Sequence, residues 1–522
     1  MVSNFSAEPK DFDDIERRPD KLRWREAVKN ELESMKENAV FKIVSFNPDM
    51  KVITSRWVFK LKTDKFGNPT VYKARLVAKG CQQRYGVDFK ETYSPVVKLV
   101  TVRVVLSVAL QKNYKISQMD VKTAFLYGNL DEDVYMEIPK GMKTGRGKVI
   151  KLEKSLYGLR QSPLCWYKRL NDVLVNLGFV RSLREMCLYV RECEGKVMYL
   201  VLYVDDILLI SECDIQDSVV KDQLRREFEI KVENDFDQFL GIGLRYDKEE
   251  AAMYLSQKKS IKELLEFLNM QDCNGTKTPM EKGLNLSSAV NGNKEFEVPY
   301  KEAIGKMMYI MLSCRPDVCF AISYLSRFQQ NPASEHWKAV KHLARFLKCT
   351  EDTELVLKRN SNSAILEGFV DADYANDESD RKSTTGFLFK VFGNTVMWSS
   401  KKQATVSCST TEAEYVALAQ ALQEGIWIKG LLEDLKIPVS QVIINEDNQS
   451  CIKMAKNPQC KRVKHIDVKF HFIREQVENK ILHLNFVGTA NQQADILTKA
   501  LGIQQFKTFC DVLGLKHREG VL

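Results

Sequence analysis

Asp205 and Asp206 stand side by side in the most apolar stretch of the sequence, VMYLVLYVDDILLIS. Taking an ionised carboxylate out of water is costly unless it is paired, hydrogen-bonded or bound to a metal. A third acid, Asp120, closes the strand-like run QMDV among apolar neighbours. Two-metal phosphoryl transfer needs such a set: carboxylates holding two magnesium ions about 3.5–4 Å apart, one activating an attacking hydroxyl and one holding a triphosphate. A plainer reading competes. Val201–Val204 and Ile207–Ile210 are short β-rich runs, and an Asp pair between them also suits the exposed tip of a hairpin. On the pair alone the two readings stand level.

A second set of acids lies further along: Asp371 in FVDADY, Glu414 in STTEAEYVAL, Asp447 in NEDNQS and Asp495 in NQQADILTK. Each falls at the end of a predicted strand or in the first turns of a predicted helix, where elements of an open sheet converge. Taken singly, they read as surface acids or helix N-caps. Glu412 and Glu414 lie about 200° apart on a helix, so only one can face a given site. Asp373, two residues from Asp371, shares its strand face.

The elements that must position these acids follow from periodicity. KLRWREAVKNELESMKE predicts an amphipathic helix with Trp24, Val28 and Leu32 on one face. ITSRWVFKLKTD and TVYKARLVAKG predict a hairpin broken at FGNP by Gly67 and Pro69. A helix over VKLVTVRVVLSVALQ leads into a strand over YKISQMDVKTAFL, then a turn and helix in KSLYGLRQSPLCWYKRLNDVLVNLG, then the acid-bearing hairpin. From about Ser256 to Leu347 the pattern is helical: SIKELLEFLNM, KEAIGKMMYIML, AISYLSRFQ and SEHWKAVKHLARFLK. Strands return in AILEGFVDADY, TTGFLFKVFG, TVMWSSK and ATVSCS, followed by a long helix from about Thr411, a strand VIINEDN, further helices and a strand ILHLNFVG. Three antiparallel strands, a crossover helix and two later strands specify a mixed sheet with helices on it.

Bulk properties bound the class. A chain of 522 residues, 44% hydrophobic and 28% charged, is globular and too long for one core. The excess of 78 Lys and Arg over 69 Asp and Glu suits a polyanionic partner if the cations gather in a groove, although a charge run is more often a solvated face. Thirteen irregularly spaced cysteines without a CxxC indicate neither a disulfide framework nor a zinc ribbon, and point to a reducing, intracellular setting. His465 and His471 lack the paired cysteines of a zinc module. No apolar run approaches the roughly 20 residues that cross a bilayer, and the polar start shows no secretory signal, so no membrane role is expected.

YVDD after a strand, together with QMDVKTAFL, LYGLRQSPLCW and YKARLVAKG in this order and spacing, resembles the reverse transcriptase of copia-type long-terminal-repeat retrotransposons. The resemblance covers nearly the whole chain, and the C-terminal acids resemble the ribonuclease H unit of the same elements. It implies an α+β multidomain fold: a right-hand polymerase of fingers, palm and α-rich thumb or connection, then a ribonuclease H-like mixed α/β domain. The expected divisions are a leader and helix over 1–50, fingers and palm over 51–245, thumb or connection over 246–360, the nuclease unit over 361–505 and a tail over 506–522.

By that resemblance Asp120 and Asp205 ligate both polymerase metals and Asp206 supports them electrostatically. Asp371, Glu414, Asp447 and Asp495 ligate the nuclease metals, with Glu414 preferred over Glu412 and Asp371 over Asp373. Phe125 matches the aromatic that excludes the ribose 2′-hydroxyl, and ordinary strand packing is its bland alternative. Arg75, with Lys73 on the same strand face, matches the contact to the incoming triphosphate. Gly158, Gln161, Ser162 and Pro163 match a turn supporting the incoming base pair and template, with Leu164 departing from the basic residue common there. Leu240 and Gly241 in FLGIGL match the primer grip. His465 and His471 match the family without an assigned role.

The implied function is RNA-directed DNA polymerisation with a fused ribonuclease H. Each site would use two Mg²⁺, with Mn²⁺ as an alternative. The implied partners are an RNA template, a DNA primer, the RNA–DNA hybrid and deoxynucleoside triphosphates, with protease and integrase segments in a full element. A cytoplasmic setting within virus-like particles, with a nuclear stage, goes with such an element. Two rivals compete with this function: a decayed or domesticated nucleic-acid-binding remnant, which the presence of all seven acids disfavours, and a telomerase-like polymerase, which the fused C-terminal unit disfavours.

Overall fold

The computed structural model describes residues 8–63, 68–286, 298–457 and 467–518. Helix α1 (Lys21–Glu37) buries Trp24 and Val28, with Leu32 packed beside them. The Trp24 ring meets Phe59 and Tyr72 edge-on at 5.5 and 4.7 Å, which clamps the helix onto the hairpin of β1 (Ser55–Thr63) and β2 (Pro69–Ala78). Gly67 lies outside the described residues. Pro69 opens β2, a first strand position where its missing N–H costs nothing. A four-stranded sheet of Phe41–Ser45, Lys148–Lys154, Asn129–Met136 and Val52–Ile53 completes this region, and the sequence periodicity had not marked its strands. Its core, from Ile15 to Leu159, is separate from the rest.

The second region is built on α2 (Leu99–Lys112), buried on every side from Thr101 to Leu110, as a helix apolar all round must be. Beside it lies a six-stranded sheet. With β3 (Lys115–Val121), β4 (Val180–Arg181), β5 (Leu188–Cys193), β6 (Lys196–Tyr203), β7 (Asp206–Ser211) and β8 (Ile230–Glu233), its order is β8-β3-β7-β6-β5-β4. Met198–Leu202 and Ile207–Ile210 are all buried, which explains the unbroken apolar run around the acid pair: both faces of these strands are covered. Helix α3 (Ser162–Asn176) starts with Pro163 in its first turn, where proline is tolerated. One expectation fails here. The strand predicted through Leu126 stops at Val121, because Thr123 adopts φ 53° and turns the chain into a 3₁₀ turn over Ala124–Tyr127. Phe125 therefore sits on that turn and not in a strand.

Beyond Glu233 come β9 (Gln238–Phe239), β10 (Ile242–Asp247) and β11 (Ala252–Ser256), then helices α4 (Lys258–Phe267), α5 (Tyr300–Cys314), α6 (Cys319–Ser326) and α7 (Ser334–Cys349), and β12 (Thr353–Lys358). The four predicted helices are present, and the region also holds strands that the helical periodicity concealed. The nuclease-like unit follows: β13 (Leu366–Asp373), β14 (Thr384–Val391), β15 (Asn394–Lys402), α8 (Thr410–Asp434), β16 (Val442–Glu446), α9 (Gln449–Lys456), α10 (Asp467–Glu478) and β17 (Leu482–Phe486). Its sheet order is β15-β14-β13-β16-β17, the first three antiparallel and the last two joined in parallel, which is the mixed sheet the sequence specifies. ATVSCS is not a strand. The Ser409 hydroxyl accepts from Glu412 N and caps α8, while the Ser407 hydroxyl bonds Gln403, so short polar side chains hold the segment in a loop.

Residues 503–517 form α11 (Ile503–Val512) and β18 (Leu515–His517), and β18 pairs with β12 to finish the sheet β9-β10-β11-β12-β18. A single buried core runs from Val97 to Leu515 through the palm, the helical layer and the nuclease-like unit. The α+β multidomain architecture read from the sequence is thus present, with the palm and the C-terminal unit fused through shared packing. Among the described residues no helix is long and apolar enough to cross a membrane.

Candidate active sites

The β6–β7 hairpin turns through Val204 and Asp205. Val204 adopts φ 53°, a left-handed conformation that a β-branched residue pays for in strain. Two bonds hold it there: the Trp166 indole N–H donates to Val204 O at 2.6 Å, and Val121 N donates to Asp205 O at 3.0 Å. The antiparallel register of β7 on β3 sets Asp206 directly opposite Asp120, and like charges so placed repel. Asp120 is exposed, and Asp205 and Asp206 are half-buried. Burial raises Asp205 above the usual carboxylate range, with the Asp120 charge adding to the rise and Arg75 and Lys73 opposing it. Burial, then Asp205 and Asp120, push Asp206 up to about 6, against a bond from Gln118 Nε2 at 3.3 Å. Three mutually repelling acids where two inner strands end, at one edge of the palm, are a place for cations.

The fingers hairpin faces this edge. Arg75 and Lys73 share one face of β2, and both charges act on Asp205. The Arg75 guanidinium lies 5.1 Å from the centre of the Tyr157 ring, and Tyr157 meets Phe125 edge-on at 4.9 Å. Burial raises the Tyr157 hydroxyl to about 12, with Arg75 opposing. Tyr157 escaped the sequence reading, although it adjoins the singled-out Gly158. That glycine adopts φ +92°, and a Cβ there would lie 2.1 Å from Ala78 O. Gln161 is buried: its Nε2 donates to Asp88 O at 2.9 Å and its Oε1 accepts from Gln83 at 3.0 Å. It therefore braces the turn from inside. Leu240 and Gly241 form a two-residue turn between β9 and β10, both with positive φ, as tight hairpins require. Tyr309 on α5, also missed, donates to Leu240 O, and a Cβ on Gly241 would meet its hydroxyl at 2.5 Å.

In the C-terminal unit the strand ends converge more tightly. Asp371 lies near the end of β13, Glu414 in the second turn of α8 and Asp447 just past β16, and one carboxylate oxygen from each lies within 4.8 Å of the others. Asp371 and Glu414 are buried. The Thr498 hydroxyl donates to Asp371, and the Thr489 hydroxyl donates to Asp447 Oδ2 at 2.8 Å. Gly386 lies opposite Asp371, where a Cβ would strike Thr498 at 2.5 Å. Asp495 lies outside that close group but is tied to it through Lys499, 2.9 Å from Asp495 Oδ1 and 3.8 Å from Asp371 Oδ2. Burial raises Glu414 strongly, with Glu446, Asp371 and Asp447 adding to it; burial and Asp371 also raise Asp495.

The two ambiguities of the sequence are separated in space. Glu412 accepts from Cys408 N at 2.9 Å and serves the helix cap, whereas Glu414 faces the other acids. Asp373 is bonded by Asn376. Glu446 was not singled out, yet it is fully buried behind Asp447, its Oε1 accepting from Asn448 N at 3.0 Å. Its only signal in the sequence was an acid within an apolar strand. Glu414 Oε2 and Glu446 Oε2 have no hydrogen-bond partner among the described residues, so the cluster holds unspent ligand capacity. The oxygen-only donor set suits hard divalent cations. His471 lies on α10 with its ring edge-on to Phe470, and His465 lies outside the described residues.

Residues 38–282 match the family described as "Reverse transcriptase (RNA-dependent DNA polymerase)". The chain is 37% identical over 519 residues to "Retrovirus-related Pol polyprotein from transposon TNT 1-94" of Nicotiana tabacum, covering 97% of this chain and 39% of that protein. It is 36% identical over 498 residues to "Retrovirus-related Pol polyprotein from transposon RE1" of Arabidopsis thaliana, covering 94% of this chain and 34% of that protein. The chain thus spans well under half the length of these relatives. A solved structure, "Structure of the foamy viral protease-reverse transcriptase dRH in complex with ds DNA", is similar at 13% identity and TM-score 0.47, covering 89% of this chain and 69% of that one.

Proposed function

From the match of residues 38–282 to the reverse transcriptase family and the likeness to transposon Pol polyproteins, we propose that the chain copies RNA into DNA at the palm acids and cleaves the RNA of the resulting hybrid at the C-terminal acids. The observation that carries the reading is the pairing of two separate carboxylate clusters, each on converging strand ends, in one chain. Asp120 and Asp205, with Asp206 beside them, would hold Mg²⁺ or Mn²⁺ in the palm; Asp371, Glu414, Asp447 and Asp495 would hold them in the nuclease unit. When bound, such ions supply charge neutralisation at the reacting phosphate and lower the pKa of the attacking oxygen.

The chain's own residues do the positioning. Arg75, and Lys73 behind it, meet the triphosphate of the incoming deoxynucleotide, a role that suits a guanidinium fork facing an acidic edge. Phe125, backed by Tyr157, forms the wall against which a ribose 2′-hydroxyl would clash. Gln161 acts through the turn it braces, and Leu240 and Gly241 present backbone to the primer end. Hybrid binding rests mainly on backbone phosphates, so it weakens with salt. Survival of all seven acids speaks against a decayed remnant. The proposal places RNA template, DNA primer, hybrid and deoxynucleoside triphosphates as partners. If the chain works within a full element, protease and integrase segments accompany it, in cytoplasmic virus-like particles.

The direct test is primer extension. Purified protein should extend a DNA primer on an RNA template with deoxynucleotides and Mg²⁺, and Phe125→Ala should admit ribonucleotides. Absence of template-dependent extension in both Mg²⁺ and Mn²⁺ would remove the polymerase reading.

A further inference from the structure

Arg103 lies in the middle of the buried helix α2 and is itself buried, 3% exposed. Its Nε donates to Val396 O in β15 at 2.7 Å. Its Nη1 donates to Leu312 O at 2.7 Å and Ser313 O at 2.8 Å, the last turn of α5. The guanidinium lies 4.0 Å from the centre of the Trp398 ring. Among the described residues no carboxylate pairs with it. A buried cation without a counter-ion is tolerated only when its donors are satisfied. Here the compensation comes from two carbonyls at the negative end of a helix, one strand carbonyl and an aromatic face.

These groups belong to three units: Arg103 to the palm, Leu312 and Ser313 to the helical layer, Val396 and Trp398 to the nuclease-like sheet. The charge is therefore satisfied only when all three are docked. Removing one leaves a buried donor unpaired, so the joint is held in a single arrangement.

A second set of contacts joins two of these units, the palm and the nuclease-like unit, elsewhere. Asp434, the last residue of α8, accepts at Oδ2 from the Ser182 hydroxyl at 2.5 Å, from Leu183 N at 3.0 Å and from Arg184 N at 3.3 Å. The Tyr199 hydroxyl of β6 donates to Leu435 O at 2.8 Å. Trp427 Nε1 donates to Arg184 O at 3.2 Å, and Lys98 Nζ lies 4.3 Å from the centre of the Trp427 ring. Helix α8 carries Glu414 near one end and is bolted to the palm at the other. Strand β6 leads directly into the turn that presents Asp205.

We propose that Arg103, with Asp434 as the second fastening, is a positioning residue that fixes the nuclease unit on the palm and so sets the distance between the primer end and the cut in the RNA. The proposal rests on the two-activity reading above. With the two units fastened together, a hybrid whose primer end sits at Asp205 would meet the Asp371 cluster at one spacing.

The test uses the full chain with an RNA labelled at its 5′ end, annealed to a recessed DNA primer, and cut positions read at nucleotide resolution. Wild type should cut in a narrow window measured from the primer end. Arg103→Met and, separately, Asp434→Ala should spread cuts over about three times as many positions, as expected when a docked unit opens locally. Extension, and cleavage of a hybrid lacking a primer end, should stay within about twofold of wild type. A wild-type window in both variants overturns the proposal; if Arg103→Met does not fold, Asp434→Ala decides it. A second readout needs neither activity. Amide exchange in Thr395–Lys402 and at Leu312–Cys314 should rise together in Arg103→Met, and unchanged exchange overturns the joint. A wild type that cleaves no hybrid counts against the nuclease half of the proposed function, and amide exchange then decides the joint on its own.

Discussion

The acids of the C-terminal unit are drawn tightly together, whereas the palm acids stand apart where two strands end. Asp371, Glu414 and Asp447 bring oxygens within 4.8 Å of one another, two of the three residues being buried. Asp120 is exposed and Asp205 and Asp206 are half-buried, with the fingers' Arg75 and Lys73 facing them. The cause is topological. The C-terminal cluster draws one acid from each of two neighbouring strands and one from a helix laid across them. The palm set has only a hairpin tip and its neighbouring strand. Burial, with mutual repulsion added to it, raises Glu414, Asp447 and Asp495, and the closer oxygens should make the C-terminal site the stronger cation trap in the free protein.

The sharpest break in that comparison is Asp371→Asn, which should lower hybrid cleavage by roughly 10³-fold while leaving extension intact, the scale expected on losing a group that acts in the transition state. Loss of both activities in a folded variant would merge the two sites. Next, Mg²⁺ or Mn²⁺ without nucleic acid should raise the melting temperature, by up to about 3 kcal/mol of stability at a hundredfold excess over the dissociation constant. Asp371→Asn should abolish most of that rise and Asp205→Asn little of it; the reverse pattern would invert the comparison. Arg75→Ala should raise KM for deoxynucleotides by about tenfold, the worth of a charge-assisted contact, without changing hybrid cleavage.

The smallest effect concerns Asp206. Its pKa, raised to about 6, favours the fold at low pH: the contribution is complete below the unfolded value near 4 and is lost as pH rises through about 6. Asp206→Asn should therefore gain stability over wild type above pH 6, on the order of 1 kcal/mol after discounting for solvent screening, and none below about pH 4. Melting curves at the two ends of that range check it.

Much of this was legible in the sequence because apolar runs announce covered strands and acids inside them announce a cost. The palm hairpin follows from that rule, and the mixed C-terminal sheet from the order of its strands and crossover helix. Helical geometry left Glu412 and Glu414 open and the family resemblance preferred Glu414; in space, Ser409 and Cys408 claim Glu412 for a cap. Phe125 was misassigned to a strand because a single left-handed residue, Thr123, ends β3 without any Gly or Pro to signal it. Strands such as β12 and β18 were missed because they are short and pair across more than 150 residues. Tyr157, Tyr309 and Glu446 act through contacts between distant segments, and periodicity cannot report those.

The measurement closest to the central claim sets Asp205→Asn and Asp447→Asn against wild type on one substrate, a DNA primer annealed to labelled RNA in Mg²⁺. Asp205→Asn should lose extension and keep cleavage, and Asp447→Asn should lose cleavage and keep extension. Wild-type extension by Asp205→Asn, or full cleavage by Asp447→Asn, would contradict the assignment of two chemistries to two acid clusters.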